Sequence, residues 1–585
     1  MKHIVEKLND FLSIRRVSRL LIFLNIISIV LGVLYVAIEE YYFIWDVFGV
    51  ILLMTIFGNI LLVFLDTLRI NRKASLGNLI NILGYIYLVL LILSWFYMIF
   101  ISKVIIYISY FGMLGYGLVM AMLNYYSLHK KEEGDISYST NPRGSIQIRK
   151  VIRMILGICC FLLILVGIYA SINTLFGSLI GFTPPETTEN STIYLIRSFN
   201  GVAGIFMARS GITWAFISLS TTVLLLKTFN RYKHPKRFKT VGVIGLVMTG
   251  IFLTPLILVP YSVYSAERNF SEAFGDDWRD DIPNDIEEEF FLKTYYTVPM
   301  YFLGVPTKDC KILKDIKYHE DGDLKLYFDV CMPKEDDDDL PGKNSVIISI
   351  HGGAWAMGDK GTGQWERYFA AQGYVVFSIQ YGLYEDFWKQ FPEEAEDALG
   401  PPENVQGDFD IDDMAEQIGI FTKYLVNNSE EYNANLDSVF IAGESAGGQL
   451  TCLTALAIAS GEYNDIFASD NLTIKGYVPF YPANRKPKLY GLDGKEEFID
   501  PAKLVEKDSP PCLIFMGTSD GMVHPSIIKD FKKAYEIEEN KHCAILWAYL
   551  GGHAADSDFN EHYNMIFLFY MERFLYLCVN DKIVD

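Results

Sequence analysis

Ser445 is the residue of this chain whose surroundings best suit nucleophilic chemistry. It stands in the string G-E-S-A-G-G, after an apolar β-like run and before a helix pattern that begins at Ala446. The string fits the G-x-S-x-G nucleophile elbow, a sharp strand-to-helix turn that exposes the serine hydroxyl. Such a turn crowds the positions two before and two after the serine, and both hold glycine, Gly443 and Gly447. The alternative interpretation is a glycine-rich structural turn without chemistry.

A serine hydroxyl needs a base within hydrogen-bond reach and an acid that orients the base. In folds built around this elbow, the acid and then the histidine follow the serine along the chain. Asp520 and His553 each come directly after an apolar run, so both are predicted in loops at the sheet edge that also carries Ser445. Three other histidines are less suitable as the base. His524 lies only four residues past Asp520, His542 precedes a strand, and His562 lies within the last helix pattern.

The string H-G-G-A-W at His351–Trp355 provides a second part of the same chemistry. A glycine loop of this kind presents backbone N–H groups to the oxyanion that develops when a serine attacks a carbonyl. We expect one donor to be the N–H of Ala446, the residue after the serine. The other donor is expected from this loop, at Gly352, Gly353 or Ala354. No H-E-x-x-H, Cys-x-x-Cys or Walker string occurs in the sequence, and this chemistry needs neither a metal nor another cofactor.

Alternating strand and helix patterns around these motifs predict the fold that positions them. An opening hairpin followed by βα units indicates an α/β domain with a mostly parallel eight-stranded sheet and helices on both faces. The predicted strands are 310–319, 324–332, 345–351, 373–379, 437–443, 474–480, 511–516 and 543–549, and the predicted helices are 362–371, 411–427, 446–460, 526–537 and 558–577.

Two stretches, residues 380–410 and 481–509, are longer than this minimal plan requires. Both leave the carboxyl ends of strands, where open α/β sheets bind their ligands. We interpret them as rims or a small cap over the pocket, with ordinary surface insertions as the alternative. Trp355 is interpreted either as a wall of that pocket or as a core side chain. The run Glu335–Asp339 is predicted to be a solvated acidic loop, because it lacks EF-hand spacing and the EF-hand glycine.

The charge of the chain divides it into two parts. Residues 1–264 contain 23 Lys and Arg against 11 Asp and Glu, whereas residues 265–585 contain 27 against 59. The basic part also holds seven apolar runs, each close to the roughly 20 residues of a membrane-spanning helix. It is therefore predicted to be a multi-pass membrane domain, and the acidic part to have no electrostatic affinity for nucleic acids. The seven runs are 20–38, 42–65, 76–101, 104–123, 154–173, 210–226 and 240–264.

Basic loops alternate with non-basic ones, which predicts the orientation through the positive-inside rule. The N-terminus is then cytoplasmic, and seven crossings put the acidic part on the extracytoplasmic side. The run 210–226 is short, but without it the cluster Lys227–Lys239 would lie on the wrong side. The other basic residues are Lys2, Lys7, Arg15, Arg16, Arg19, Arg69, Arg72, Lys73, Lys130, Lys131, Arg143, Arg149 and Lys150, and the acidic alternate loop is Glu39–Glu40.

The boundaries that follow are a membrane domain over 1–264, a linker over 265–304 and an α/β domain over 305–585. The linker is acidic at first and then aromatic, and its second part is expected to dock on the α/β domain or on the membrane surface. Cys310 and Cys331 fall nearly opposite each other on the two strands of the opening hairpin. A cross-strand disulfide and two unpaired thiols both stay open for this pair.

Four motifs together resemble the α/β-hydrolase superfamily, and within it the hormone-sensitive-lipase-like and the feruloyl and acetyl-xylan carboxylesterases. They are H-G-G-A-W-A-M-G-D-K, G-E-S-A-G-G, G-T-S-D-G and G-G-H, and the resemblance covers roughly residues 305–578. It implies an α/β-hydrolase fold and a serine esterase with Ser445, Asp520 and His553 as the triad. Ala354 replaces the third glycine of the commoner H-G-G-G form, so the identity of the loop donor stays open.

The expected function is that of a membrane-anchored serine hydrolase that cleaves small acyl, acetyl or aryl esters through an acyl-enzyme intermediate. One alternative is acyl transfer to a lipid or to a cell-surface glycan. A non-enzymatic alternative is an adhesion or sensing module built on the same fold. The expected partners are a small ester and the lipid bilayer, and the sequence does not indicate an oligomeric state.

Overall fold

The structure is a computed structural model that describes residues 13–38, 43–67, 75–100, 106–129, 146–181, 197, 199–205, 211–229, 234–305, 308–334, 340–390 and 400–583. The chain divides into two compact units. The first comprises Met1–Ile172, Ser210–Ile257 and Tyr296–Val305, and the second comprises Asn173–Arg209, Leu258–Tyr295 and Pro306–Asp585. Several residues of the predicted loops lie outside the described part of the chain: Lys2, Lys7, Glu39, Glu40, Arg69, Arg72, Lys73, Lys130, Lys131, Arg143, Arg231, Lys233 and Glu335–Asp339.

Each of the seven apolar runs forms a helix. These are α1 (Ile14–Ala37), α2 (Ile44–Thr67), α3 (Ser75–Phe100), α4 (Ile106–His129), α5 (Ile146–Ile180), α6 (Gly211–Thr228) and α7 (Pro235–Ile257). Among the described residues, six helices are long and apolar enough to cross a membrane, and they support the prediction of a membrane protein. The short run at α6 is one of the six, whereas α4 is not. The number of crossings therefore stays a prediction.

Polar side chains inside the first unit pair with one another. The amides of Asn25 on α1 and Asn59 on α2 exchange two hydrogen bonds of 3.0 Å. Close by, the hydroxyls of Ser28 and Thr55 are 2.9 Å apart, and Tyr110 Oη donates to the carbonyl of Ser28. Paired amides and hydroxyls of this kind join helices where the surroundings are apolar. These polar residues of the first unit therefore form contacts between helices.

The second unit is built on one eight-stranded sheet. Its strands are β1 (Lys311–Asp321), β2 (Leu324–Met332), β3 (Ser345–Ile350), β4 (Val375–Ile379), β5 (Asn435–Glu444), β6 (Ile474–Phe480), β7 (Cys512–Gly517) and β8 (Cys543–Ala548). They lie in the order β1-β2-β4-β3-β5-β6-β7-β8. All eight strands were predicted within a few residues. β3 and β4 are buried over nearly their whole length, as are residues 438–443 of β5 and 476–480 of β6, which is expected for strands covered on both faces.

The sheet is mixed, which corrects the prediction of a mostly parallel one. β2 pairs antiparallel with both β1 and β4, whereas β3, β4 and β5 to β8 pair in parallel. The hairpin was predicted, but its junction with the rest of the sheet was not. A strand has the same apolar pattern whether it joins a sheet in the parallel or the antiparallel direction. The pattern indicates which residues are buried and does not indicate the direction of the strand.

Helices cover both faces of this sheet, at the predicted places. They are α11 (Gln364–Ala370), α12 (Ile411–Asn428), α13 (Ala446–Ser460), α15 (Pro525–Ile537) and α16 (His562–Val579), with a short α14 (Glu496–Ile499) between strands. Asp410 caps α12 by accepting hydrogen bonds from the N–H groups of Asp412 and Asp413. Helix α16 is buried over nearly its whole length, so it forms part of the core.

The predicted linker is folded. Helices α8 (Val259–Phe274) and α9 (Asn284–Phe290) belong to the second unit, whereas α10 (Val298–Leu303) belongs to the first. Asn269 on α8 donates a 2.8 Å hydrogen bond to the carbonyl of Ile545 on β8. The buried Arg573 guanidinium bonds to both Glu287 and Glu572, and so fastens α9 to α16. The segment Leu258–Tyr295 is thus an integral part of the α/β unit.

All eight cysteines are unpaired. The strand register sets Cys331 opposite Ile312, so Cys310 lies diagonally across the hairpin from Cys331. The two thiols interact, and their hydrogen bond lowers the pKa of Cys310 below that of an ordinary thiol. The sequence left open either a disulfide or two free thiols at Cys310 and Cys331, and in the structure both are free thiols.

Candidate active site

Ser445 lies at a tight turn between β5 and α13. Its φ is +53° and its ψ is −111°, a conformation that residues other than glycine rarely adopt. A Cβ on Gly443 would lie 2.5 Å from the carbonyl oxygen of Ile350, and one on Gly447 would lie 2.1 Å from the same atom. Glycine is therefore required at both positions by the close approach of β3. Ser445 N–H donates to the carbonyl of Phe480 at 2.9 Å, which fixes the turn against β6.

The structure brings Ser445, Asp520 and His553 together. His553 Nε2 lies 2.9 Å from Ser445 Oγ, and His553 Nδ1 lies 2.8 Å from Asp520 Oδ2. A carboxylate can only accept, so Nδ1 carries the proton in this arrangement and Nε2 is free to accept from the serine hydroxyl. Such a chain of contacts can remove the serine proton as the hydroxyl attacks.

The carboxylate of Asp520 is held by its own loop. Asp520 is fully buried, and its Oδ1 accepts hydrogen bonds of 2.8 Å from the N–H groups of Met522 and Val523. The loop is joined to the one that carries His553, since Ser519 N–H donates to the carbonyl of Gly551 at 2.9 Å. A Cβ on Gly517 would lie 2.5 Å from that same carbonyl oxygen, so the two loops touch through their backbones.

The glycine loop after β3 lies against the serine. A Cβ on Gly352 would be 2.7 Å from the carbonyl oxygen of Glu444 and 3.5 Å from Ser445 Cβ. Gly353 has a φ of +125°, and a Cβ there would lie 2.0 Å from the carbonyl oxygen of Met357. Ala354 follows with a φ of +53°. These positive φ values turn the backbone beside Ser445, and Ala446, which follows Ser445, is the first residue of α13.

His351 and Trp355 support this loop. His351 stacks on Tyr381 with ring centroids 4.5 Å apart, and its Nδ1 donates to the carbonyl of Gly352 at 2.9 Å. Burial lowers the pKa of His351, which favours the neutral ring. Trp355 is fully buried, and its Nε1 donates to Gln449 at 3.0 Å. The structure therefore agrees with the interpretation of Trp355 as a core side chain.

The three histidines that the sequence made less suitable as the base lie in other contacts. His524 caps α15, where its Nδ1 accepts from the N–H of Ser526 at 3.2 Å. His542 is buried, and its Nδ1 lies 3.1 Å from the carbonyl oxygen of Ala273. His562 is buried at the start of α16, next to Glu561. Their contacts are consistent with structural roles.

Four residues around the triad were missed by sequence reasoning as individual contributors. The ring of Tyr481 packs edge-on against His553, with centroids 4.5 Å apart. Burial and the nearby charge of Glu444, the residue before the serine, raise the pKa of Asp556. Burial also lowers the pKa of Lys486 to about 8, with Asp520 opposing the shift. The one signal in the sequence for Tyr481 is its place directly after a predicted strand, at the start of the stretch that was interpreted as a rim.

The two long stretches meet each other. Phe387 in the first and Tyr490 in the second pack with centroids 6.3 Å apart, and Tyr490 also packs on Trp355 at 5.7 Å. Residues 383–384 and 406–407 form a small parallel pair of strands within the first stretch. Residues 391–399 lie outside the described part of the chain. That the two stretches act as a cap over a pocket stays a prediction.

Comparison with known proteins agrees with this fold. Residues 347–510 match a family described by the alpha/beta hydrolase fold. A relative described as the probable carboxylic ester hydrolase LipM of Mycobacterium tuberculosis is 23% identical over 252 residues, which are 37% of this chain and 52% of that protein. The match thus spans about half the length of that relative.

Solved structures of esterases are also similar. The apo form of esterase 2 of Thermogutta terrifontis is 18% identical, with 48% of this chain and 97% of that chain covered at a TM-score of 0.35. Esterase B of Lactobacillus rhamnosis, in an inhibited form, is 17% identical, with 47% and 88% covered at a TM-score of 0.36. The family match confirms the resemblance that the four motifs indicate, because residues 347–510 match the alpha/beta hydrolase fold and lie within the eight-stranded unit.

Proposed function

We propose that this protein is a membrane-anchored serine carboxylic-ester hydrolase. The observation that carries the proposal is the continuous contact from Ser445 Oγ through the His553 ring to the buried Asp520 carboxylate. The family match and the carboxylic ester hydrolase among its relatives favour ester bonds as the substrate class. Small acyl, acetyl or aryl esters are the proposed substrates.

The mechanism follows from the direction of these hydrogen bonds. His553 Nε2 takes the proton of Ser445 as Oγ attacks the ester carbonyl, and Asp520 stabilises the imidazolium that forms. The proton then passes to the leaving alcohol while an acyl-serine ester remains. Water, deprotonated by the same histidine, attacks this acyl-enzyme and releases the carboxylic acid, which restores Ser445.

The negative charge on the carbonyl oxygen needs donors at each step. We assign this role to the N–H of Ala446 at the start of α13 and to those of Gly352 and Gly353 in the turned loop. The close approach of the loop to Ser445 supports the assignment, since a Cβ added to Gly352 would lie 3.5 Å from Ser445 Cβ. Ala354 replaces the third glycine of the commoner H-G-G-G form, and the N–H of Ala354 is the alternative donor from this loop.

The proposed placement has the α/β domain on the extracytoplasmic side of the membrane. Six apolar helices in the described part of the chain support anchoring. The alternation of basic and non-basic loops supports the side. In this arrangement the substrates are esters that reach the enzyme from outside the cytoplasm.

Ser445→Ala in the full-length protein tests the nucleophile. We expect hydrolysis of p-nitrophenyl butyrate to fall by about 10⁴- to 10⁶-fold, as is typical when a triad serine is removed. Covalent labelling by a fluorophosphonate should disappear, because no Oγ remains to attack phosphorus. The matched control is Ser557→Ala, an exposed serine whose Oγ donates a hydrogen bond to the carbonyl of Ala554. Turnover by Ser445→Ala close to that of the unchanged protein would contradict the proposal.

A further inference from the structure

The loop that carries Asp520 contacts a segment from the N-terminal half of the sequence. Ser519 Oγ donates a 2.8 Å hydrogen bond to the carbonyl of Thr174, 345 positions earlier in the chain. Ser519 is only 5% exposed, so this bond is shielded from water. Thr174 lies in the last two turns of α5 and belongs, like Ser519, to the α/β unit. The end of an apolar helix is thus part of the surroundings of the triad acid.

Two glycines at the end of α5 allow this contact. A Cβ on Gly177 would lie 2.1 Å from the carbonyl oxygen of Ser519, and one on Gly181 would lie 2.2 Å from that of Gly521. Both targets are backbone atoms, which cannot give way as the end of a flexible side chain does. Positions four apart lie on one face of a helix, so the two glycines present one bare surface to the loop. They approach it on either side of Asp520.

A third glycine approaches the same loop from the helical residues 199–205. A Cβ on Gly201 would lie 2.6 Å from Met522 Sδ and 3.0 Å from the carbonyl oxygen of Gly521. The N–H of Met522 is one of the two donors to Asp520 Oδ1. A displacement of Gly521 and Met522 would therefore move the donors that aim the carboxylate at His553.

We propose that Gly177, Gly181 and Gly201 are positioning residues for Asp520, and that the last turns of α5 are a working part of the hydrolase site. Glycine is a poor helix former and alanine the best, so glycine at 177 costs helix stability that the close approach offsets. The inference rests on the proposed function in one respect: Asp520 is taken as the acid of the triad. It predicts that a larger residue at these positions impairs catalysis through Asp520.

Full-length Gly177→Ala, Gly181→Ala and Gly201→Ala test the proposal. We expect kcat for p-nitrophenyl butyrate to fall by about 10- to 100-fold, as for a misplacement near 1 Å, with KM little changed. The acidic limb of the pH–rate profile should move to lower pH, because an imidazole that loses its carboxylate partner is protonated less readily. Alanine favours the helix at 177, so a weaker helix cannot explain a loss there.

Two glycines of the same segments provide matched controls. Among the described residues, the nearest atom to a Cβ on Gly157 of α5 would be Thr228 Oγ1 at 3.9 Å, and the nearest to one on Gly204 would be Asn173 Oδ1 at 3.7 Å. Gly157→Ala and Gly204→Ala should retain the kcat and the pH profile of the unchanged protein. Unchanged kcat and an unchanged acidic limb in Gly177→Ala and Gly181→Ala would overturn the inference.

Two further outcomes are decisive. A loss of activity that matches a loss of fluorophosphonate-reactive protein, with the acidic limb unmoved, shows a merely structural contact and also overturns the inference. Where the alanine variants do not accumulate, Ser519→Ala removes only the bond to Thr174: a several-fold lower kcat with a shifted limb supports the inference, and unchanged values refute it. If the unchanged protein neither hydrolyses esters nor takes the label, the proposed function fails instead.

Discussion

At the scale of single residues, Ser445 adopts a strained backbone because its neighbours leave it no other. The carbonyl of Ile350 faces two glycines, and the N–H of Ser445 is bonded to Phe480, so the turn is fixed from both sides. Strain that the surroundings impose in this way persists in the folded state and exposes the hydroxyl at the apex of the turn. The same positive φ would be costly in a turn without these contacts.

Asp520 and His553 are expected to act as one unit. Asp520→Ala and His553→Ala should each be severely impaired, and the double variant should be little worse than His553→Ala, since both changes disable the same proton transfer. Activity of the unchanged protein should fall on acidification, because a protonated imidazole can no longer accept the serine proton. Both effects are measured as kcat/KM for p-nitrophenyl butyrate.

His524→Ala is the control for this pair. His524 lies four residues past the acid and is the N-cap of α15, where it bonds to Ser526. Its removal should lower the stability of the protein slightly and leave kcat/KM nearly unchanged. An inactive His524→Ala beside an active His553→Ala would show that the histidine has been assigned to the wrong strand end.

The convergence of Ser445, Asp520 and His553 could be predicted from the sequence, because the elbow requires its glycines and because Asp520 and His553 follow strands. Tyr481, Lys486 and Asp556 could not be predicted in the same way. Their places beside the triad depend on how the chain folds back after β6 and after His553, and tertiary contacts decide this. Likewise, no local pattern at Gly177 or Gly181 indicates a contact with residues 519–521.

At the scale of elements, β3 is the centre of the site. It lies between β4 and β5, its last carbonyls face the elbow glycines, and its next residues form the glycine loop. The end of this strand therefore lies next to both the turn that holds Ser445 and the loop of the proposed oxyanion donors. The predicted pattern of strands was sufficient to locate this end, whereas the direction in which β2 joins β4 was not recoverable from apolar runs alone.

Gly447→Ala tests the packing of α13 on β3. A Cβ there would lie 2.1 Å from the carbonyl oxygen of Ile350 and 2.4 Å from that of His351, so α13 or the glycine loop must move. We expect kcat to fall by at least about 10-fold, because the proposed donors then no longer fit the oxyanion. The matched control is Gly361→Ala, where a Cβ meets no atom of the described part of the chain within 4 Å. Equal kcat values for both variants would show that the elbow tolerates the methyl group.

At the scale of the whole molecule, composition separates a basic, apolar part from an acidic one. The helices of the first part were predictable because about 20 consecutive apolar residues have few other uses in a soluble protein. The compact units nevertheless interleave in sequence, since residues 173–209 join the α/β unit and 296–305 join the helical one. A charge boundary near residue 264 cannot indicate such exchanges, because they depend on side-chain packing.

Cysteine mapping tests the side of the membrane on which the α/β domain lies. Glu430→Cys places a thiol at an exposed position of that domain, and Lys236→Cys places one at the exposed start of α7. An impermeant maleimide on intact cells should label Glu430→Cys above the level of the unchanged protein, since seven crossings put position 430 outside. Lys236→Cys should be labelled only after the membrane is opened. The reverse pattern would mean an even number of crossings and a hydrolase that acts on cytoplasmic esters.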